Sequence, residues 1–216
     1  HEEPIARTGA LIASYARRNL EGLAQIRGND GSGGGCALSG ENIFGVANRG
    51  AVTATSGASV SGGPGPSVNL GTHAAVFDTA GVRWDVLTDP GFPVDFVNAS
   101  PGFGSGWPVA RWNGDLSANA SHGGRGVLIV TGEFRPTLGF YWDGIVLAGE
   151  LASSTSPLRL WWVDGMLIGG LNGGGGSVTW EHIVGPRVRY DACSALSASN
   201  ALAYFEPLAD TFEEVR

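Results

Sequence analysis

Two aspartates occupy equivalent places: Asp143 in "YWDGIVLAG" and Asp164 in "WVDGMLIGG", each just before a glycine that opens an apolar run. Glycoside hydrolysis needs paired carboxylates, one as acid and one as base or nucleophile. If the two segments stack, these carboxylates come close. An aspartate before a glycine is also ordinary turn chemistry, and Asp78, Asp85, Asp89, Asp95, Asp115, Glu133 and Glu150 are scattered. No arginine cluster beside calcium-binding carboxylates suggests a lyase. His1, His73, His122 and His182 show neither HxH nor HExxH spacing, so no metal site is read from them. "GASVSGG" and "GSGWP" lack the GxSxG elbow, and "GSGGG" lacks the Lys-Ser/Thr of a P-loop. Asn29-Asp30-Gly31 starts like a calcium loop but the later oxygen ligands are missing. The reading assigns no catalytic residue, metal or cofactor.

Composition narrows the classes. The 216 residues are 43% hydrophobic, enough for a sizeable core, but only 15% charged. All 13 basic residues are arginine, and the net charge is -7. Without lysine, Schiff-base chemistry is absent, and an acidic chain without a basic patch does not suit nucleic acid. The chain begins at His1 and reads as processed or truncated, with any membrane attachment through a segment outside it. Cys36 and Cys193 either remain as buried thiols or form a disulfide. The even count and the Gly/Ser/Thr-rich surface style favour the bond, and with it an oxidising compartment. Such a bond requires the entry and exit of the repetitive region to meet. Either an N-terminal helix runs along that region, or the stacking order is not strictly sequential.

The elements that would position these residues are short. Pro4 to Arg27 reads as a helix, with Ile5, Ile12, Tyr15, Leu23 and Ile26 on one face, ended by "GNDGSGGG". Val52, Val60, Val68 and Val76 then recur every eight residues, and Trp84 keeps the interval. Each segment holds three or four strand residues before a corner, which suits a β-solenoid better than a hairpin meander. The runs Val127–Val130, Ile145–Ala148 and Met166–Gly169 start 18 and 21 residues apart, and Val188 follows 22 after Met166. They are expected to stack as parallel strands, burying Val127, Ile129, Ile145, Leu147 and Leu167. Phe140, Trp142, Trp161, Val163, Trp180 and Ile183 would add inward side chains, and Gly144 and Gly165 would take corner conformations. Residues 84–112, rich in Pro, Gly and aromatics, read as an excursion. Phe103, Trp107 and Trp112 there are a candidate binding surface.

The order "GRGVLIVTGEF", "FYWDGIVLAGEL", "VDGMLIGGLN", "VRYDAC" resembles the soluble region of PilX-type type IV pilus-associated proteins. These have a pilin-like N-terminal helix and a Gly-rich repetitive C-terminal region. The resemblance covers about residues 120–216 and extends to "GVANRGAVTATSGASVSGGPGP". It implies a non-catalytic role outside the cytoplasm, at the cell surface or pilus with passage through the periplasm. The implied partners are other pilus subunits or a surface ligand, glycan or protein.

The sequence thus predicts a mainly β protein in three parts. Residues 1–30 are an N-terminal helix and linker, 31–193 a β-solenoid, and 194–216 a C-terminal helical cap over the last coil. Rival readings are a carbohydrate-active β-helix enzyme and a bactofilin-like self-assembling scaffold.

Overall fold

The computed structural model describes residues 9–15, 17–55, 57–154, 160–173, 176–182 and 185–202. In chain order the strands begin with β1 (Gly9–Ala13), β2 (Arg17–Gly22), β3 (Gln25–Arg27), β4 (Phe44–Asn48), β5 (Ala51–Ala54), β6 (Ser59–Ser61) and β7 (Ser67–Asn69). Helices α1 (His73–Ala80) and α2 (Trp84–Thr88) follow, then β8 (Phe96–Val97), β9 (Val109–Trp112) and β10 (Leu116–Ala118). The chain continues through β11 (Gly124–Pro136), β12 (Tyr141–Leu151), β13 (Trp162–Gly169), β14 (Ser177–His182) and β15 (Arg187–Arg189) to helix α3 (Ala192–Leu202). The protein is mainly β, with one large parallel sheet, a three-stranded parallel sheet β14-β2-β5 and a C-terminal helix. Among the described residues neither sheet closes on itself.

The three apolar runs are neighbouring parallel strands, as their spacing predicts. Val127 pairs with Ile145 and Ile145 with Met166, and all five of the expected core residues are fully buried. Phe140, Trp142, Trp161, Val163 and Trp180 are buried too; Ile183 lies outside the described residues. Trp180, however, belongs to the smaller sheet, and Val188 pairs with Val163 rather than Met166. Gly126, Gly144 and Gly165 stand side by side in register, all with positive φ (108°, 130° and 129°). A Cβ on Gly144 would lie 2.2 Å from the Gly126 carbonyl oxygen, and one on Gly165 2.0 Å from that of Gly144. Backbone conformation and close packing both require glycine here.

The predicted N-terminal helix is replaced by strands β1 to β3; Pro4 and Ile5 lie outside the described residues. A short run such as "ALIA" fits a buried strand as well as a helix face. Ala10 to Ala13 are all fully buried, as in a strand covered on both sides, whereas Leu23, placed on the helix face, is 53% exposed. The eight-residue interval holds through β5, β6 and β7, which carry Val52, Val60 and Val68. It fails at Val76 and Trp84, which lie in helices. Thr72 caps α1 by accepting from the Ala75 N–H, and Gly81 ends it in the left-handed region (φ 63°). The 84–112 excursion is not only a loop: it supplies α2 and then β8 and β9, which extend the large sheet beyond β11. Helix α3 begins where a C-terminal helix is expected, but it packs against β11, β12 and β13 rather than over an end of the sheet. Its buried Ala192, Ala195, Ala198 and Ser199 allow close approach; the remainder of the expected cap, 203–216, lies outside the described residues.

The stacking order is not sequential. The first half of β13 pairs with β15 (Trp162 with Arg187), and its second half pairs with β1 (Leu167 with Leu11). β15 and β1, from opposite ends of the chain, therefore form one row beside β13. β3 and β4 form the next row, and β6 and β7 the one after. Because β15 pairs with β3, the segments that follow them leave side by side. Tyr190 N–H donates to the Arg27 carbonyl (2.7 Å), and Gly31 N–H to that of Tyr190 (2.9 Å). Cys36 and Cys193 then meet in a disulfide with their Cα atoms 5.5 Å apart. The bond spans 157 residues, worth roughly 5 kcal/mol on the chain-entropy model. It points to an oxidising, extracytoplasmic environment, and no described helix is long and apolar enough to cross a membrane.

Asp30 fastens the same junction. Its carboxylate accepts from the N–H groups of Ala192 (2.9 Å), Ser32 (3.0 Å) and Gly40 (2.6 Å) and from the Ser32 hydroxyl (2.7 Å). Burial alone would raise its pKa, but these donors outweigh burial and bring it down to about 2.

Two outcomes follow from this architecture. Gly144→Ala is expected to destabilise the fold by about 3 kcal/mol or more, from positive-φ strain plus the carbonyl clash, read as a lower midpoint in urea; an unchanged midpoint would contradict the close packing. Asp30 has a folded pKa below its unfolded value. Its contribution is therefore complete above about pH 4 and lost as pH falls towards 2. Asp30→Asn is expected to lower Tm at neutral pH and to flatten the Tm–pH curve across that acid window.

Candidate functional site

In the first halves of the rows, apolar residues alternate with outward ones at period 2. Trp142, Val163, Val188 and Ile26 lie in register and point inward, all fully buried or nearly so. On one side of them runs an outward column of Tyr141, Trp162, Arg187, Gln25 and Ser59. On the other side runs Arg125, Asp143, Asp164, Arg189, Arg27 and Ser61. Between the columns lies a groove of about 370 Å³, lined by Gln25, Arg27, Tyr141, Trp162, Asp164, Arg187, Val188 and Arg189.

The polar groups of the groove hold one another in place. Asp164 accepts from the Tyr141 hydroxyl (3.1 Å) and from Arg189 Nε (3.1 Å) and Nη2 (2.9 Å). Burial, then the nearby Asp164 and Asp143 carboxylates, push the Tyr141 hydroxyl well above its ordinary pKa, so it remains a donor. Asp143 accepts from Arg125 (2.7 Å) and from the Ser194 hydroxyl of α3 (2.6 Å). Arg27 donates to the Gln25 side-chain oxygen (3.1 Å). Arg187 is exposed, and its guanidinium has no hydrogen-bond or ionic partner among the described residues. The Tyr141 and Trp162 rings meet edge to face, 6.5 Å apart and at 78°.

The predicted binding surface is brought only partly to this place. Phe103 is 54% exposed and stacks on Tyr141 at 5.4 Å, extending the aromatic column outward. Trp107 is half-buried against the core beneath the Arg125 guanidinium, 4.9 Å from its ring centre. Trp112 packs edge-on to His122 and against the core instead. Sequence reasoning missed Tyr141, Trp162, Gln25, Arg27, Arg187 and Arg189 as groove residues. A signal for them existed in four triplets of one pattern, "YWD", "WVD", "RVR" and "QIR", each an apolar residue flanked by outward ones.

Asp143 and Asp164 are adjacent in register, as expected for stacked segments, and each is engaged by its own arginine. A second pair with nucleophile chemistry is Ser14 and His73, whose Oγ and Nδ1 share a short hydrogen bond. Ser14 is fully buried, and no described carboxylate is bonded to His73, so the contact ties the end of β1 to the first turn of α1. No three described His, Cys, Asp or Glu residues are grouped to hold a metal ion. No family model matches the chain, nor does any curated protein or solved structure.

Proposed function

We propose that this chain is a non-catalytic structural and adhesive domain displayed outside the cytoplasm, built as a β-solenoid, in a type IV pilus-associated protein of the PilX type. The observation that carries this reading is the Cys36–Cys193 bond, which fastens the N-terminal strands to the C-terminal ones at their junction. A chain closed in this way cannot be pulled out between the two cysteines, which suits a domain under shear. Parallel strands returning at intervals of 18 and 21 residues support the solenoid, with each row continuing the core of the last. The motif resemblance supports the pilus setting, and the aromatic and arginine groove supplies a surface for adhesion.

The test is location and redox state in the source cells. The tagged full-length protein is expected in the fraction sheared from the cell surface, with both cysteines oxidised by non-reducing mass spectrometry. Recovery in the cytosol with free thiols would overturn the proposal.

The register of Asp143 with Asp164 is the observation that favours a second reading, a carbohydrate-active enzyme. Purified protein is expected to leave common polysaccharides uncleaved with or without added metal ions. Turnover abolished by the double change Asp143→Asn and Asp164→Asn would put the enzyme first.

A further inference from the structure

We infer that the groove between the two outward columns is a binding site for an acidic saccharide, holding a carboxylated pyranose unit of a surface glycan. The inference deepens the adhesive reading and rests on it. Its starting point is charge. The chain carries -7 overall, yet Arg27, Arg187 and Arg189 converge on one groove against a single lining carboxylate, Asp164. Arg189 is already spent on Asp164. The Arg187 guanidinium is left exposed without a partner among the described residues, and that of Arg27 holds only the neutral Gln25 oxygen. Two guanidinium forks in adjacent rows are therefore available, and a fork matches a carboxylate with two parallel hydrogen bonds.

The aromatic wall defines the rest of the ligand. Tyr141 and Trp162 are half-buried, held by packing, and precede Arg187 in the same column, with Arg27 in the facing one. A pyranose ring presents an apolar C–H face that packs on such a ring, while its hydroxyls need nearby acceptors and donors. Asp164, fixed by Tyr141 and Arg189, offers acceptor oxygens, and the Gln25 amide offers a donor. An apolar wall with a few placed polar groups is the usual make-up of a small-ligand site.

The basic zone is too short for a long phosphate track. Along the stack it is bounded by Ser59 and Ser61 on one side and by Trp162 and Asp164 on the other. Nucleic acid would need several more cations and would meet the repulsion of the acidic chain as a whole. A single carboxylate on a sugar needs only the two rows present.

The test is calorimetric titration of the oxidised protein with short oligomers of galacturonate, glucuronate and mannuronate. Neutral oligomers of the same sugars, an acidic peptide and a single-stranded DNA oligomer serve as comparisons. At least one uronate oligomer is expected to bind at least tenfold tighter than its neutral counterpart, more weakly at high salt, with quenching of tryptophan fluorescence. Arg187→Ala is expected to lower that affinity at least tenfold without shifting Tm, and Trp162→Ala to lower it at least tenfold in a fold that still melts cooperatively, at a Tm reduced by the lost packing, while Arg83→Ala, away from the groove, leaves it unchanged. Arg187→Lys should recover only part of the loss, because a point charge replaces the fork. Equal binding of neutral and acidic sugars, no uronate binding at millimolar concentration, an undiminished Arg187→Ala variant, or preference for the peptide or DNA would each overturn the inference. Such a failure is distinct from failure of the adhesive reading, which is decided by where the protein is found and by its disulfide.

Discussion

Strand β13 pairs on one edge with two distant parts of the chain at once, and most of the structure depends on that double pairing. Its first three residues hold β15 and its last three hold β1. A strand edge offers one line of hydrogen-bonding groups, so β15 and β1 must lie end to end as a single row. The N-terminal strands then continue the stack where the C-terminal strands stop. Register passes through the junction without loss, from Val163 to Val188 to Ile26 to Val60 on the inner side. The smaller sheet repeats the arrangement, with β14 from one end of the chain beside β2 and β5 from the other.

The junction is bonded at every level open to it. Ser14 N–H donates to the Gly169 carbonyl, and the Tyr15 hydroxyl reaches Glu150 at 3.1 Å. Asn19 donates to Thr179, Asp30 holds the start of α3, and the disulfide closes the outer side. The most costly member is Arg18. It is fully buried in the column between Val178 and Val52, and none of its three guanidinium nitrogens has a hydrogen-bond partner among the described residues. Burial pulls its pKa down to about 9, which still leaves it charged at neutral pH. Its partner is the Trp180 ring, 3.4 Å from the guanidinium carbon to the ring centre. A cation over a desolvated indole recovers about 2 kcal/mol, less than a buried charge costs. The contact joins β2 to β14, and a slip of one residue would break it.

The later strands were legible in the sequence because their pattern is repeated and punctuated. Three apolar runs, each opened by a glycine, have a spacing that only parallel neighbours explain simply, and the glycines proved to be required by both backbone and packing. The N-terminal strands were not legible for two reasons. "ALIA" is buried on both sides and so has no period 2, and Leu20, Leu23 and Ile26 recur at a helix-like interval although only two of them are buried. The real signal lay in three residues, Gln25-Ile26-Arg27 before Gly28, the same outward–inward–outward triplet before glycine as Tyr141-Trp142-Asp143 and Trp162-Val163-Asp164. Single-chain periodicity could not reveal that these triplets stack across the two ends of the chain. The disulfide was the one clue, since joining Cys36 to Cys193 already demanded either an N-terminal helix running along the stack or an order that was not sequential.

The same topology explains why the groove escaped the sequence. The aromatic loop around Phe103 drew attention because exposed aromatics concentrate there, yet Trp107 and Trp112 spend much of their surface on the core. The groove takes its wall from β12 and β13, one pair of arginines from β15, and Arg27 and Gln25 from the far end of the chain. No window of the sequence contains it. It exists only once β3 docks beside β15, so the interactions that seat the N-terminal strands also assemble the groove. Loss of that docking would remove Gln25 and Arg27 from the site while leaving Tyr141, Trp162 and Asp164 in their own rows. The aromatic wall and the β15 arginines are thus local to adjacent C-terminal strands, and the cationic side is completed by Arg27 only when the two ends of the chain are joined.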